Sequence, residues 1–301
     1  MEGIIPPIVT LFDKNGEIDS SLNKKMIDHI IDGGVHGILL LGSSGEFPFL
    51  SLKEKKSYIA EMISHINNRV PVMCGVGGTV LKEIIQLAVH ATDLGAKGVM
   101  VVNHYYWNMT NEQMIEFYSE ISKSVPNDIY LYNIPQLTGQ EIPIEVIKEL
   151  VERFSNIKGI KETVPNIGRI RSVIEQISNN YSGFNVYCAF DEHILDTQIL
   201  GAAGSINGTS VFLPEISVQL YNAIQKKDFS KIEVLHLKIS KLMDIYSWHP
   251  SFFLTMKEAV HLRWFPDREV GYRKPFFDSN DLVKNRMKEL LQNILEAEEI
   301  R

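Results

Sequence analysis

Residues 70–102 read VPVMCGVGGTVLKEIIQLAVHATDLGAKGVMVV. A short β-branched run (70–75) passes through glycines into a segment where Ile84, Leu87, Ala88, Ala91 and Leu94 recur at helical spacing. Leu94-Gly95-Ala96 then reads as a helix stop, and a second apolar run opens at Gly98. Strand, helix, strand in about thirty residues is the unit that joins parallel neighbours in a sheet.

The same unit recurs on both sides of this stretch. Strands are expected at 4–12, 37–41, 70–75, 98–103, 129–133, 157–162, 185–190 and 204–207. Helices are expected between and after them at 22–31, 52–66, 81–94, 111–124, 144–154, 167–177, 194–200 and 215–225. Eight units without a long antiparallel interruption favour a parallel sheet, and eight is the number that closes a barrel. An open doubly wound sheet would carry a glycine-rich first βα turn, whereas 12–16 reads Phe-Asp-Lys-Asn-Gly. The expected fold is therefore α/β, a (β/α)8 TIM barrel over 1–225. A C-terminal helical appendage over 226–301, with helical patterns at 229–246, 252–262 and 280–299, would cover a flank of the barrel or mediate assembly. The charged tail 296–301 reads as a solvated helix end.

Composition narrows the function. The 301 residues are 45% hydrophobic and 22% charged, a globular profile, and a net charge of −7 argues against a nucleic-acid binder. An acidic protein that takes an anionic substrate must hold it with local donors. The two cysteines, Cys74 and Cys188, sit in apolar strand-like runs and read as reduced core thiols. There is no basic n-region followed by an apolar run at residues 1–7, and no run long enough to span a bilayer, so a cytoplasmic, soluble protein without membrane partners is expected. Walker, H-E-x-x-H and metal-spaced motifs are missing, and neither metal nor organic cofactor is expected.

In a barrel the chemistry sits where the strands end. Strand alternation points residues 157, 159 and 161 the same way, which sends Lys161 into the barrel near its top. Burial there disfavours the ammonium form and supplies the neutral amine that attacks a ketone. The plain alternative is a solvated lysine, or one paired with Glu162. Tyr132, ending strand five, can exchange a proton through its phenol, or can be a core tyrosine with its hydroxyl at the surface. Ser43-Ser44 between glycines opens a loop into a helix, either a carboxylate cradle of hydroxyls and backbone N–H groups or simply a tight turn. Tyr105-Tyr106-Trp107 is a lid or a buried cluster.

Taken together, G-S-S-G-E (42–46), N-H-Y-Y-W (103–107), L-Y-N-I-P (131–135) and G-I-K-E-T (159–163), in this order and spacing, resemble the dihydrodipicolinate synthase / N-acetylneuraminate lyase family of Schiff-base barrels. The resemblance covers the whole chain. It implies that Lys161 forms an imine with a small 2-keto acid such as pyruvate, that Tyr132 shuttles protons and Ser43 relays them, and that Tyr106 completes the relay across a tight dimer interface in a dimer of dimers. It further implies substrate contacts from Gly42, Ser44, Thr163, Asp191, Glu192 and Asn207.

Within the family, the synthase branch usually has an arginine where Leu137 stands here, and a leucine cannot hold a second carboxylate. The run Phe190-Asp191-Glu192 resembles one that holds polyol hydroxyls in the sialate-lyase branch, but Asn207-Gly208 departs from the Gly-Ser expected there. The phrasing looks closest to bacterial 2-keto-3-deoxygluconate-type aldolases, with His104 where a proline is usual. The implied activity is reversible cleavage of a 2-keto-3-deoxy sugar acid to pyruvate and an aldehyde. N-acetylneuraminate lyase, a dihydrodipicolinate synthase-like enzyme, a dehydratase on the same imine, and a non-catalytic binding barrel are the alternatives.

Overall fold

A computed structural model describes residues 1–296; the rest of the charged tail lies outside the described residues. The strands are β1 (Gly3–Ile4), β2 (Ile38–Leu40), β3 (Val72–Gly75), β4 (Gly98–Val102), β5 (Ile129–Asn133), β6 (Ile157–Glu162), β7 (Asn185–Cys188) and β8 (Gly204–Ser205). They pair in parallel in the order β1-β8-β7-β6-β5-β4-β3-β2. The ends of that order meet through the backbone: His36 N–H donates to the Ile4 carbonyl at 2.9 Å, Leu39 N–H to Pro6 at 2.9 Å, and Ile8 N–H to Leu39 at 3.1 Å. This is a TIM-barrel-like α/β fold.

The helices that follow the strands are α1 (Ser20–Asp32), α2 (Leu52–Ile66), α3 (Leu81–Asp93), α4 (Asn111–Ser124), α5 (Pro135–Thr138), α6 (Ile144–Arg153), α7 (Ile167–Val173), α8 (Ile194–Ile199) and α9 (Pro214–Lys226). Local chemistry sets several of the starts. Ser51 with Glu54, and Thr110 with Gln113, form reciprocal capping boxes at α2 and α4, satisfying N–H groups that the first turn leaves orphaned. Expected and observed bounds coincide for β5, β6, α2 and α4. The first strand differs most: only Gly3–Ile4 pair as a strand, because Pro6 and Pro7 have no N–H to give a ladder.

Three further helices, α10 (Phe229–Leu242), α11 (Phe252–Trp264) and α12 (Asp281–Glu296), complete the described chain. Their apolar residues Ile239, Leu242, Met256, Ala259, Val260 and Met287 belong to the same continuous core as the strands. No described helix is long and apolar enough to cross a membrane. Cys74 and Cys188 are free and buried on β3 and β7.

The barrel floor is aromatic. The Tyr130 and Tyr187 rings meet edge to face at 6.0 Å. Gly159 makes this possible, since a Cβ there would lie 2.9 Å from the Tyr130 ring and closer still to the Asn185 carbonyl. Two residues further along β6, on the same face, stands Lys161.

Candidate active site

A cavity of about 560 Å³ opens at the carboxyl ends of the strands. Tyr132 of β5, Lys161 and Thr163 at the end of β6, and Ser44 after β2 line its reacting side. Register places Tyr132 beside Lys161, and Lys161 beside Tyr187.

Lys161 is 4% exposed, and its Nζ lies 4.5 Å from the centroid of the Tyr132 ring. That ring is its neighbour; no carboxylate lies within ion-pair distance of Nζ among the described residues. Pairing with Glu162, the plain alternative from sequence, does not occur. Glu162 points to the opposite side of the strand, where its fully buried carboxylate accepts from Asn133 Nδ2 at 2.6 Å and Arg169 at 3.2 Å. Burial raises the Glu162 carboxyl above its ordinary range, opposed by Arg169 and Asn133. Arg169 also donates to the Ile142 carbonyl, and Asn133 Oδ1 accepts the Ile142 N–H. The residues next to Lys161 and Tyr132 are thereby tied to one another behind the site.

The Ser43 and Tyr132 hydroxyls are 3.3 Å apart, within reach of one shared proton. Ser43 belongs to a tight turn. Gly45 N–H donates to the Gly42 carbonyl at 3.0 Å, Glu46 N–H to Ser43 at 3.1 Å, and Thr10 Oγ1 to Gly45 at 2.7 Å. Gly42 is thus a backbone member of the turn, while Ser44 is the one that lines the cavity. Thr163 Oγ1 is buried without a partner, a donor and acceptor facing a site rather than a neighbour.

Other expected site residues stand elsewhere. Asp191 and Asn207 are fully buried and bonded to each other at 2.6 Å; Asp191 also accepts from the Thr209 N–H at 3.0 Å, the Thr209 hydroxyl, and the Tyr246 hydroxyl at 2.8 Å. Burial raises the Asp191 carboxyl, and these donors oppose the rise. Glu192 is exposed, and none of the three lines the cavity. Tyr106 is 87% exposed at φ +88°, its ring against Trp107 at 5.6 Å, and it reaches neither Ser43 nor Tyr132 within its own chain. A bulky residue held at positive φ stores backbone strain. Tyr105 is half-buried, edge-on to Phe47 at 6.2 Å.

Two features were not anticipated. The helices after residue 226 form a wall of the cavity, contributing Met243, Tyr246, Phe252 and Met256. And Lys257 of α11 forms a fully buried ion pair with Glu46, its Nζ 4.4 Å from the centre of the Phe12 ring. Burial pushes Glu46 up and Lys257 down, each opposed by the other's charge. The cue in the sequence is Lys257-Glu258 in the middle of the largely apolar run 252–262; the structure buries eight consecutive residues there, Phe253–Val260, so these charges require partners.

Comparison with known proteins places this geometry. Residues 1–294 match the model of the dihydrodipicolinate synthetase family. The chain belongs to that family. It is accordingly an enzyme of a family of lyases and aldolases. It is 36% identical over 292 residues, 97% of this chain and 96% of the relative, to YagE of Escherichia coli K12, provisionally named a 2-dehydro-3-deoxy-D-gluconate aldolase. It is 32% identical over 289 residues, 96% of each chain, to YjhH of the same organism, provisionally named a 2-dehydro-3-deoxy-D-pentonate aldolase. The crystal structure of YagE in complex with pyruvate superposes with a TM-score of 0.93 at 35% identity, covering 98% of this chain and 99% of that one.

Proposed function

We propose that this enzyme is a Schiff-base aldolase that reversibly cleaves a 2-keto-3-deoxy sugar acid to pyruvate and an aldehyde. The observation that carries the reading is a buried lysine, Lys161, without an ionic partner, under the Tyr132 ring and at the edge of a cavity. Such an amine is not tied up in an ion pair and has an open site to react with. The names of YagE and YjhH, and the pyruvate in the YagE structure, support the sugar-acid substrate and the pyruvate half.

The proposed steps are these. The Lys161 amine adds to the C2 ketone, a proton is taken up and water leaves, giving a protonated imine. Ser44 and the turn it sits in hold the carboxylate. Tyr132 takes the proton from the C4 hydroxyl as it passes its own to Ser43; the C3–C4 bond breaks, its electrons reach the imine nitrogen, and the C4 fragment leaves as an aldehyde. Protonation of the enamine at C3, with Ser43 relaying the proton to Tyr132, and hydrolysis release pyruvate and restore the amine. No cofactor takes part in these steps. Tyr106 serves a neighbouring subunit in this reading, within a dimer of dimers, which accounts for its exposed and strained position. Residues 1–225 carry the chemistry, and the helical appendage that begins at 226 completes the cavity wall through Met243, Tyr246, Phe252 and Met256.

The test is borohydride reduction with pyruvate. One reduced pyruvyl group should map to Lys161 and vanish in Lys161→Ala. An adduct at another lysine, or none in the native protein, sinks the mechanism.

A further inference from the structure

The cavity is chemically divided, and on the Schiff-base reading, which is presupposed here, the division bears on the aldehyde half of the substrate. Its reacting side, from β5, β6 and the turn after β2, carries Lys161, Tyr132, Thr163 and Ser44. Its other wall carries Ile206, Met243, Tyr246, Phe252 and Met256. That wall is one packed unit. The Tyr246 and Phe252 rings lie edge to face at 6.4 Å, and the Tyr246 hydroxyl fills the space where a Cβ on Gly208 would be. Met256 Cε lies 3.2 Å from the same point. Position 208 can therefore offer no side-chain hydroxyl to a ligand.

Charge is scarcer still. Among the described residues, Lys161 is the single charged side chain lining the cavity. Asp191, which could have received hydroxyls, is committed to the Asn207 amide, Thr209 and Tyr246, and Asn207, whose Oδ1 has no partner, does not line the cavity. Tyr246 gives its only hydroxyl hydrogen to Asp191. Gln136 and Ser247, the remaining polar side chains of the lining, sit at the exposed rim. An anionic group placed against this wall would lose its water and meet no cation, and an extra hydroxyl would meet no free partner.

We propose that the aldehyde half is a short, uncharged 2-hydroxyaldehyde with an apolar far end, which would place a methyl or small hydrocarbon group against the wall of Ile206, Met243, Phe252 and Met256. Phosphorylated, carboxylated and polyhydroxylated aldehydes are selected against. The corresponding acids are 2-keto-3-deoxy acids that also lack their terminal hydroxyl.

Three aldehydes of one carbon skeleton test this in the condensation direction with pyruvate: lactaldehyde, glyceraldehyde and glyceraldehyde 3-phosphate. The first two differ by one terminal hydroxyl, so kcat/KM should favour lactaldehyde by roughly tenfold, the scale of discrimination at an apolar contact. The phosphate should fall at least about a hundredfold below lactaldehyde, because its dianion must be desolvated without a counter-charge. Ser247→Arg, which would bring a cation to the rim of this lining, should raise kcat/KM for the phosphate at least tenfold relative to lactaldehyde, and no gain would count against the missing counter-charge as the cause. Equal rates with lactaldehyde and glyceraldehyde, a preference for the phosphate, or trapping without condensation of any of the three overturns the inference. Failure to trap pyruvate at Lys161 instead overturns the Schiff-base reading beneath it.

Discussion

Lys257→Met tests whether the turn that carries Ser43 and Ser44 is held in place from the far end of the chain. Glu46 closes that turn in a left-handed conformation, φ +58°, and its carboxylate is buried against Lys257. Methionine keeps most of the volume and removes the charge, leaving Glu46 buried with no cation in contact and with Oε2 already unpartnered. Removing one partner of a buried pair costs about 3–5 kcal/mol. Arg273 reduces this slightly through its more distant charge, although it is itself committed to Glu54 at 2.7 Å. Taking about 3 kcal/mol, and roughly 2 °C per kcal/mol for a chain of this size, the melting temperature should fall by roughly 6 °C. Activity should fall further than folding does. A turn loosened by a fraction of an ångström moves Ser43 off its 3.3 Å contact with Tyr132, and misplacement on that scale costs about tenfold or more in kcat/KM. The control is Glu46→Gln with Lys257→Met, in which both charges are gone; replacing a buried pair as a unit is often neutral, so the double variant should regain most of the lost stability. Calorimetry on the native protein, the two single variants and the double variant, with the rate of pyruvate trapping alongside, reads both effects. A Lys257→Met protein that melts and turns over like the native one refutes the anchor. A double variant no more stable than Lys257→Met would show that the loss is one of shape rather than charge.

Two further outcomes are expected. Tyr132→Phe keeps the ring beside Lys161 but removes the hydroxyl that meets Ser43, so turnover should drop by roughly a hundredfold or more with little change in melting temperature; a protein that loses stability but not turnover per folded molecule would make Tyr132 a packing residue. His36 accepts the Ile4 N–H on Nδ1 at 3.2 Å where β1 meets β2, and burial lowers its pKa from 6.5, so the unfolded chain takes up the proton first and stability is lost as pH falls from 6.5 toward the folded-state value; His36→Gln, which does not titrate, should show a flatter melting profile across that window, and equal slopes would exclude the seam as a pH-sensitive point.

Local pattern and long-range pairing were not equally legible in the sequence, and the divide is physical. Alternation with period two is local, so the inward face of 157, 159 and 161 was legible, and with it the position of Lys161. Pairing across the fold has no such period. Nothing near Glu162 says that Arg169, seven residues later at the first turn of a helix, turns back to take its carboxylate on the face of β6 opposite Lys161. Asp191 and Asn207 are of the right type to hold hydroxyls, but the loops after β7 and β8 turn them toward each other, and only the path of those loops decides that. The hardest case was also the most consequential. Glu46 and Lys257 are 211 positions apart, and a helix buried on every side shows no apolar stripe from which to infer a partner. Such a helix does carry one constraint that sequence reasoning can use: a charge at its centre has no water to face, so another element must bring the opposite charge to it. The chain has a glutamate immediately after a glycine-bounded turn at the mouth of the barrel, and the pairing of the two joins the last part of the fold to the first residues that would touch a substrate.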